Sequence, residues 1–111
     1  MKISEEKRDD TIIVSVSGEI NIDTSPDLRK AFDQYTQQGI KKVIIDCVNL
    51  TYIDSSGLAT LIELMQRLKK IEGELKICNL ENKVKSVFEV TKLDKLFDIC
   101  ASQEQAVERF K

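Results

Sequence analysis

The sequence predicts an α/β fold built on a mostly parallel or mixed β-sheet. Two observations carry that reading. Short β-branched runs alternate along the chain with longer segments whose apolar residues recur every three or four positions. One run, VIIDCV at residues 43–48, is nearly all apolar, as a central strand covered on both faces should be. The predicted order is β-β-α-β-α-β-α-β-α. Strands separated by helices imply right-handed crossovers, which keep successive strands parallel.

Each element has its own justification. IIVSV, residues 12–16, is β-branched and flanked by polar residues, so it reads as a strand. Residues 3–7 supply a short partner, with RDDT as the turn. Gly18 breaks the run. Ser25 followed by Pro26 predicts a helix N-cap with proline at the first helical position. Leu28, Ala31, Phe32 and Tyr35 form its buried stripe, and Gly39 closes it in a left-handed turn.

After the 43–48 strand, NLTYIDSSG reads as a connection to a helix running from about Ser56 to Glu72 and ended by Gly73. LKIC, residues 75–78, is a further short strand. Asn82 begins a helix with Val84, Val87, Phe88 and Thr91 on one side. LFDIC, residues 96–100, is the last strand. In SQEQAVERF, Ser102 and Gln105 have the spacing of a capping box before a final amphipathic helix.

A length of 111 residues suits one domain, 1–111, because a second core would not fit. Hydrophobic residues at 41% and charged residues at 32% indicate a soluble globular chain rather than a disordered one. A net charge of −2 gives no broad basic field, which argues against nucleic acid as the main ligand. Lys69, Lys70, Lys83 and Lys85 read as solvated helix faces. No run of apolar residues is long enough to span a membrane, and the charged N-terminus lacks an apolar signal region. The chain is expected in the cytoplasm.

Cys47, Cys78 and Cys100 are far apart and sit in apolar runs, so buried thiols are expected rather than a metal or redox site. There is no histidine, which removes a Ser-His-Asp triad, a Cys-His pair and most zinc sites. No cofactor or metal is expected, and an enzyme is not.

The most informative stretch is DSSG, residues 54–57. Asp54 or Ser55 serves to cap the following helix by accepting hydrogen bonds from free N–H groups. Gly57 in the first turn costs about 1 kcal/mol of helix stability relative to Ala. Close approach of another backbone, or of a partner, would justify it. The stretch is neither a P-loop nor a Gly-x-Ser-x-Gly nucleophile elbow. Apolar residues of the following helix span roughly 180° of its circumference, wider than one sheet face requires. The flank at Leu64, Leu68 and Ile71 is left to a neighbouring helix or a partner.

These residues resemble the STAS domain, and within it the bacterial anti-sigma factor antagonists. The landmarks are VSGEIN, VIIDCVNLTYIDSSGLATLIEL and NKVKSVFEVTKLDKLFDI, and they cover nearly the whole chain. The resemblance implies a mixed sheet of four to five strands with about four helices mainly on one side. It also implies partner switching. The unphosphorylated antagonist binds an anti-sigma factor that is also a serine kinase, releasing the sigma factor. Phosphorylation ends the interaction, and a serine phosphatase restores it.

By position the phosphoacceptor is Ser55, with Ser56 the weaker candidate. Asn21, Asp23, Asp54, Ser56, Gly57 and Leu58 are its neighbours or partner contacts. Gly57 is read as leaving the kinase room to reach the hydroxyl. Asn21 departs from the family, which often has an acidic residue there, and Asp23 is close enough to substitute in part. Two rival readings remain. STAS chains also serve as accessory subunits of membrane lipid transport machines, and nucleotide hydrolysis has been suggested for the fold.

Overall fold

Asp9, at a φ of 57°, and Asp10 reverse the chain between two antiparallel strands, β1 (Lys2–Arg8) and β2 (Thr11–Ile20). Alternation sets their register. Ile3 lies opposite Val16 and packs toward the main core, while Ser4 lies opposite Ser15 on the other face. The computed structural model describes residues 1–110. Beyond β2 come β3 (Lys42–Ile53), β4 (Glu74–Cys78) and β5 (Asp98–Cys100), all parallel to β2, giving one five-stranded sheet in chain order.

Each parallel pair needs a helical crossover, and all three crossovers fall on one face. They are α1 (Ser25–Gln37), α2 (Ser55–Lys70) and α3 (Asn82–Val90). Leu28, Phe32 and Tyr35 of α1, Leu61, Leu64 and Leu68 of α2, and Val84 and Phe88 of α3 bury against Val14, Val16, Ile45 and Leu50. Burial of each large side chain is worth about 1.5–3 kcal/mol. The wide apolar arc of α2 is therefore filled inside the molecule: Leu64 and Leu68 are fully buried and Ile71 half-buried.

A fourth helix, α4 (Gln103–Arg109), covers part of the opposite face with Ala106, Val107 and Phe110 over Ile13, Ile44, Cys78 and Cys100. Its N-terminus carries one half of the expected capping box, and the return bond comes from Ala101 N, one residue before the N-cap. Ser102 Oγ accepts from Gln105 N at 3.1 Å, and Gln105 Oε1 returns to Ala101 N at 2.6 Å. Two polar brackets hold α4 down. Asp46, 6% exposed, accepts from Val48 N, Asn79 Nδ2 and Gln103 Nε2 at 3.1, 3.1 and 2.9 Å. Lys76, 4% exposed, reaches Asp98 at 2.6 Å and Glu74 at 3.2 Å, with its Nζ 4.5 Å from the Phe110 ring centre. Arg109 completes the cluster on Asp98.

All three cysteines are free and buried. Burial pushes every thiol up, that of Cys78 to about 12, so none is poised to react.

Several boundaries differ from the sequence reading. β3 does not stop at residue 48. NLTYI continues as strand because β2 runs on beside it to Ile20, opposite Ile53. Gly18, at a φ of 91°, stays within β2 where the register shifts. The N-cap of α1 is Thr24, and Ser25 is the first helical residue with its hydroxyl buried and unpaired. α2 ends at Lys70 rather than Glu72, and Glu72 itself takes a left-handed turn, with a φ of 61°. Gly73 is needed for space, since a Cβ there would lie 2.5 Å from the Lys41 carbonyl oxygen. The last strand begins at Asp98, after a single 3-10 turn at Leu93–Lys95.

Candidate functional site

Parallel crossovers bring the N-termini of α1, α2 and α3 to one edge of the sheet, beyond the carboxyl ends of β2, β3 and β4. Ligands and partners of open α/β sheets commonly meet the fold at this edge. Ser55 sits there.

The turn before it is tightly specified. Ile20 lies opposite Ile53, and Asp54 N donates to the Ile20 carbonyl at 3.3 Å. Asp54 is extended, with φ −103° and ψ −175°. Its Oδ1 accepts from Gly57 N at 2.8 Å, and its carbonyl accepts from Leu58 N at 2.9 Å. Of the two capping candidates, Asp54 is thus the cap, and Ser55 is freed from that duty.

Ser55 is the first residue of α2 and is exposed, and its hydroxyl makes no hydrogen bond among the described residues. Ser56 is half-buried, and its carbonyl accepts from the buried Thr60 hydroxyl at 2.9 Å. Gly57 and Leu58 face inward, with Leu58 6% exposed. A Cβ on Gly57 would stand 2.5 Å from the Ile20 carbonyl oxygen and 2.7 Å from Ile53 Cγ1. The small residue therefore answers a close backbone approach. The expectation that Gly57 clears a path to the serine gives way to this contact.

The β2–α1 loop runs beside this turn. Asn21 Oδ1 accepts from Asp23 N at 3.0 Å and Thr24 N at 3.1 Å, a local turn that shapes the loop. Its side-chain amide reaches Glu19 Oε1 at 3.4 Å. Asn21 is therefore spent on its own loop, whereas Glu19 and Asp23 are exposed. Two apolar residues of this end also face solvent: Ile22 at 69% and Tyr52 at 51% exposure. Sequence reasoning did not single them out. Ile22 sits among polar residues, and Tyr52 lies in a stretch read as a connection rather than a strand.

A family model for the STAS domain matches residues 2–106, and the chain belongs to that family. BtrV of Bordetella bronchiseptica, a candidate anti-sigma factor antagonist, is 30% identical over 111 residues, 100% of this chain and 96% of that one. The anti-sigma-B factor antagonist of Bacillus subtilis is 29% identical over 109 residues, covering 97% and 98% of the two chains. Among solved structures, a candidate anti-sigma factor antagonist from Thermotoga maritima matches with a TM-score of 0.91 at 23% identity, covering 96% of this chain and 92% of that one. The unphosphorylated form of the Bacillus antagonist SpoIIAA matches at 0.76 and 20% identity, covering 98% and 97%. The five-stranded mixed sheet with three helices on one face and one on the other is thus the STAS fold.

No helix among the described residues is long and apolar enough to cross a membrane.

Proposed function

We propose that this chain is an anti-sigma factor antagonist whose binding is switched at Ser55. In its unphosphorylated form it binds an anti-sigma factor that is also a serine kinase, and the sigma factor is released in the cytoplasm. Phosphorylation of Ser55 ends the interaction, and a serine phosphatase restores it. The chain is a regulatory partner in this scheme rather than an enzyme, and the kinase supplies the chemistry.

The observation that carries this reading is the state of Ser55. It is an exposed hydroxyl without a hydrogen-bond partner, on a turn held from below by Asp54 and Gly57. A phosphate there adds about −1.5 to −2 charges at neutral pH. At the first turn of α2 it meets free N–H groups and the positive end of the helix dipole, worth about 0.3–1 kcal/mol. The fold accommodates it. A partner surface without a matching cation does not, and a mismatched buried charge costs on the order of 2–5 kcal/mol, about 30- to 4,000-fold in affinity. The larger figure supports a switch that acts on binding rather than on folding. Asp54 and the exposed Asp23 add repulsion of the same sign.

The test is a pull-down from lysate depleted of ATP with wild type, Ser55→Ala and Ser55→Asp as baits. A kinase-type anti-sigma factor held by the first two and lost by the third is the expected result. Transport-complex subunits recovered equally by all three would replace this reading with that of an accessory subunit.

A further inference from the structure

The edge that carries Ser55 has a second feature. β4 ends opposite Asp46, whereas β3 continues, paired with β2, to Ile53, so the end of β3 overhangs β4 and leaves its α3-side edge open. Thr51, Tyr52 and Ile53 on the overhang, with Lys83, Val84 and Val87 on α3, line an open, mainly apolar groove. Tyr52 is the one exposed aromatic ring among the described residues. The groove reaches Ile53, the residue just before Asp54, and its single charged lining residue is Lys83. On the far side of Ser55 the exposed charged groups of the β2–α1 loop are acidic, Glu19 and Asp23, with Ile22 between them. Carboxylates thus lie toward β2, while the α3 side carries both the groove's ammonium, Lys83, and Glu81 at the N-cap of the same helix.

Area decides what such a groove is for. A specific interface takes about 800 Å² from each partner, far more than one serine and its turn. A protein that covers Ser55 must spread over what adjoins it. Apolar and aromatic groups at the centre of an interface carry most of its energy, and rim charges select the partner.

We propose that this groove is a second contact for the anti-sigma factor, receiving an apolar side chain with a carboxylate set beside it against Lys83. The proposal rests on the Ser55 reading above. It adds a partner chemistry: basic groups facing Glu19 and Asp23, and an apolar residue flanked by an acid facing Tyr52 and Lys83. Ser55 lies two residues beyond Ile53 and outside the groove lining, so the groove sets which partner binds and Ser55 sets when.

The experiment titrates the anti-sigma factor recovered by the wild-type bait, once purified, against wild type, Ser55→Asp, Tyr52→Ala, Lys83→Glu and, as a control on the exposed face of α2, Gln66→Ala. Circular dichroism melts confirm that each variant is folded. Tyr52→Ala and Lys83→Glu are expected to weaken binding by about tenfold or more, with Gln66→Ala unchanged. Wild-type affinity in both groove variants, with Ser55→Asp still unable to bind, overturns the groove and leaves the switch standing. Undiminished binding by Ser55→Asp, with both groove variants weakened, overturns the switch and leaves the groove. Self-association of this chain that Tyr52→Ala abolishes would give the groove to a second copy instead.

Discussion

Gly57 and Ile20 are packed backbone to backbone: a Cβ on the glycine would stand 2.5 Å from the isoleucine carbonyl oxygen. This contact sets the N-terminus of α2 against the end of β2 and thereby fixes the height at which Ser55 is presented. Gly57→Ala gains about 1 kcal/mol of helix propensity but forces the strand and helix apart, a strain of about 1–3 kcal/mol. The backbone oxygen cannot swing away as a side chain would. Net destabilisation is expected, read as a lower urea midpoint; a more stable Gly57→Ala protein would contradict the packing argument.

Asp54 is tested separately from the glycine. Its carboxylate takes the Gly57 N–H at the first turn of α2. Asp54→Ala should cost about 0.5–2 kcal/mol in chemical denaturation, and Asp54→Asn much less, since asparagine keeps the acceptor oxygen. Equal losses in the two variants would mean that charge, not capping, is what Asp54 supplies.

The back-face cluster makes stability depend on pH at both ends of the scale. Burial works against the charge of Asp98, but Lys76 and Arg109 outweigh it and hold the carboxyl below its ordinary 3.8. That contribution is complete above the unfolded value and fades as pH falls through the folded one. Burial likewise opposes the Lys76 ammonium, but Asp98 and Glu74 outweigh it and raise it above 10.5. Its contribution is complete below 10.5 and fades as pH rises through the folded value. Thermal melts should show a plateau between these limits, and Lys76→Met should flatten the alkaline loss. An alkaline limb that survives in Lys76→Met belongs to some other group.

Asp46 joins three elements through one carboxylate. Removing it in Asp46→Ala leaves Asn79, Gln103 and the Val48 N–H, all part-buried, short of an acceptor, and water that reaches them keeps the cost below the roughly 1–3 kcal/mol of a fully buried unpaired donor. Hydrogen exchange in α4 should accelerate by more than in α1, because α4 loses an anchor and α1 does not. Uniform acceleration across the chain would show that the bracket serves the whole fold.

Thiol chemistry offers an independent check of the core. Cys47, Cys78 and Cys100 should resist an aromatic disulfide reagent in the native protein at pH 8, and all three should react in guanidinium. Rapid native labelling of any one would place that strand at the surface.

Much of this architecture was legible because its signals are local. The stripe on α1, the nearly all-apolar start of β3 and the Ser102–Gln105 cap each depend on residues a few positions apart, and DSSG marked the turn into α2. The far half of β3 was hidden for a different reason. Leu50 and Ile53 point into the core three residues apart, while Val48, Asn49, Thr51 and Tyr52 face out, so the two-residue period of a strand is lost where the pairing with β2 shifts register. Only the neighbouring strand shows that the stretch is extended. Gly57 and Gly73 belong to the same class: each meets a carbonyl, Ile20 or Lys41, that lies more than thirty positions away. Ile22 and Tyr52 escaped because an isolated apolar residue in a polar stretch has no pattern until its exposure is measured.

The overhang of β3 bears on how a modifying enzyme meets this chain. Many kinases thread a pliable stretch of substrate through their cleft and read its letters in turn. Here Ser55 stands at the junction of a paired strand and a sixteen-residue helix, with no slack on either side. An enzyme acting on Ser55 has to fit a moulded surface, as a key fits a lock face. A free peptide copying residues 52–65 carries every letter of the motif and none of that relief, and it would be a poor substitute for the folded domain.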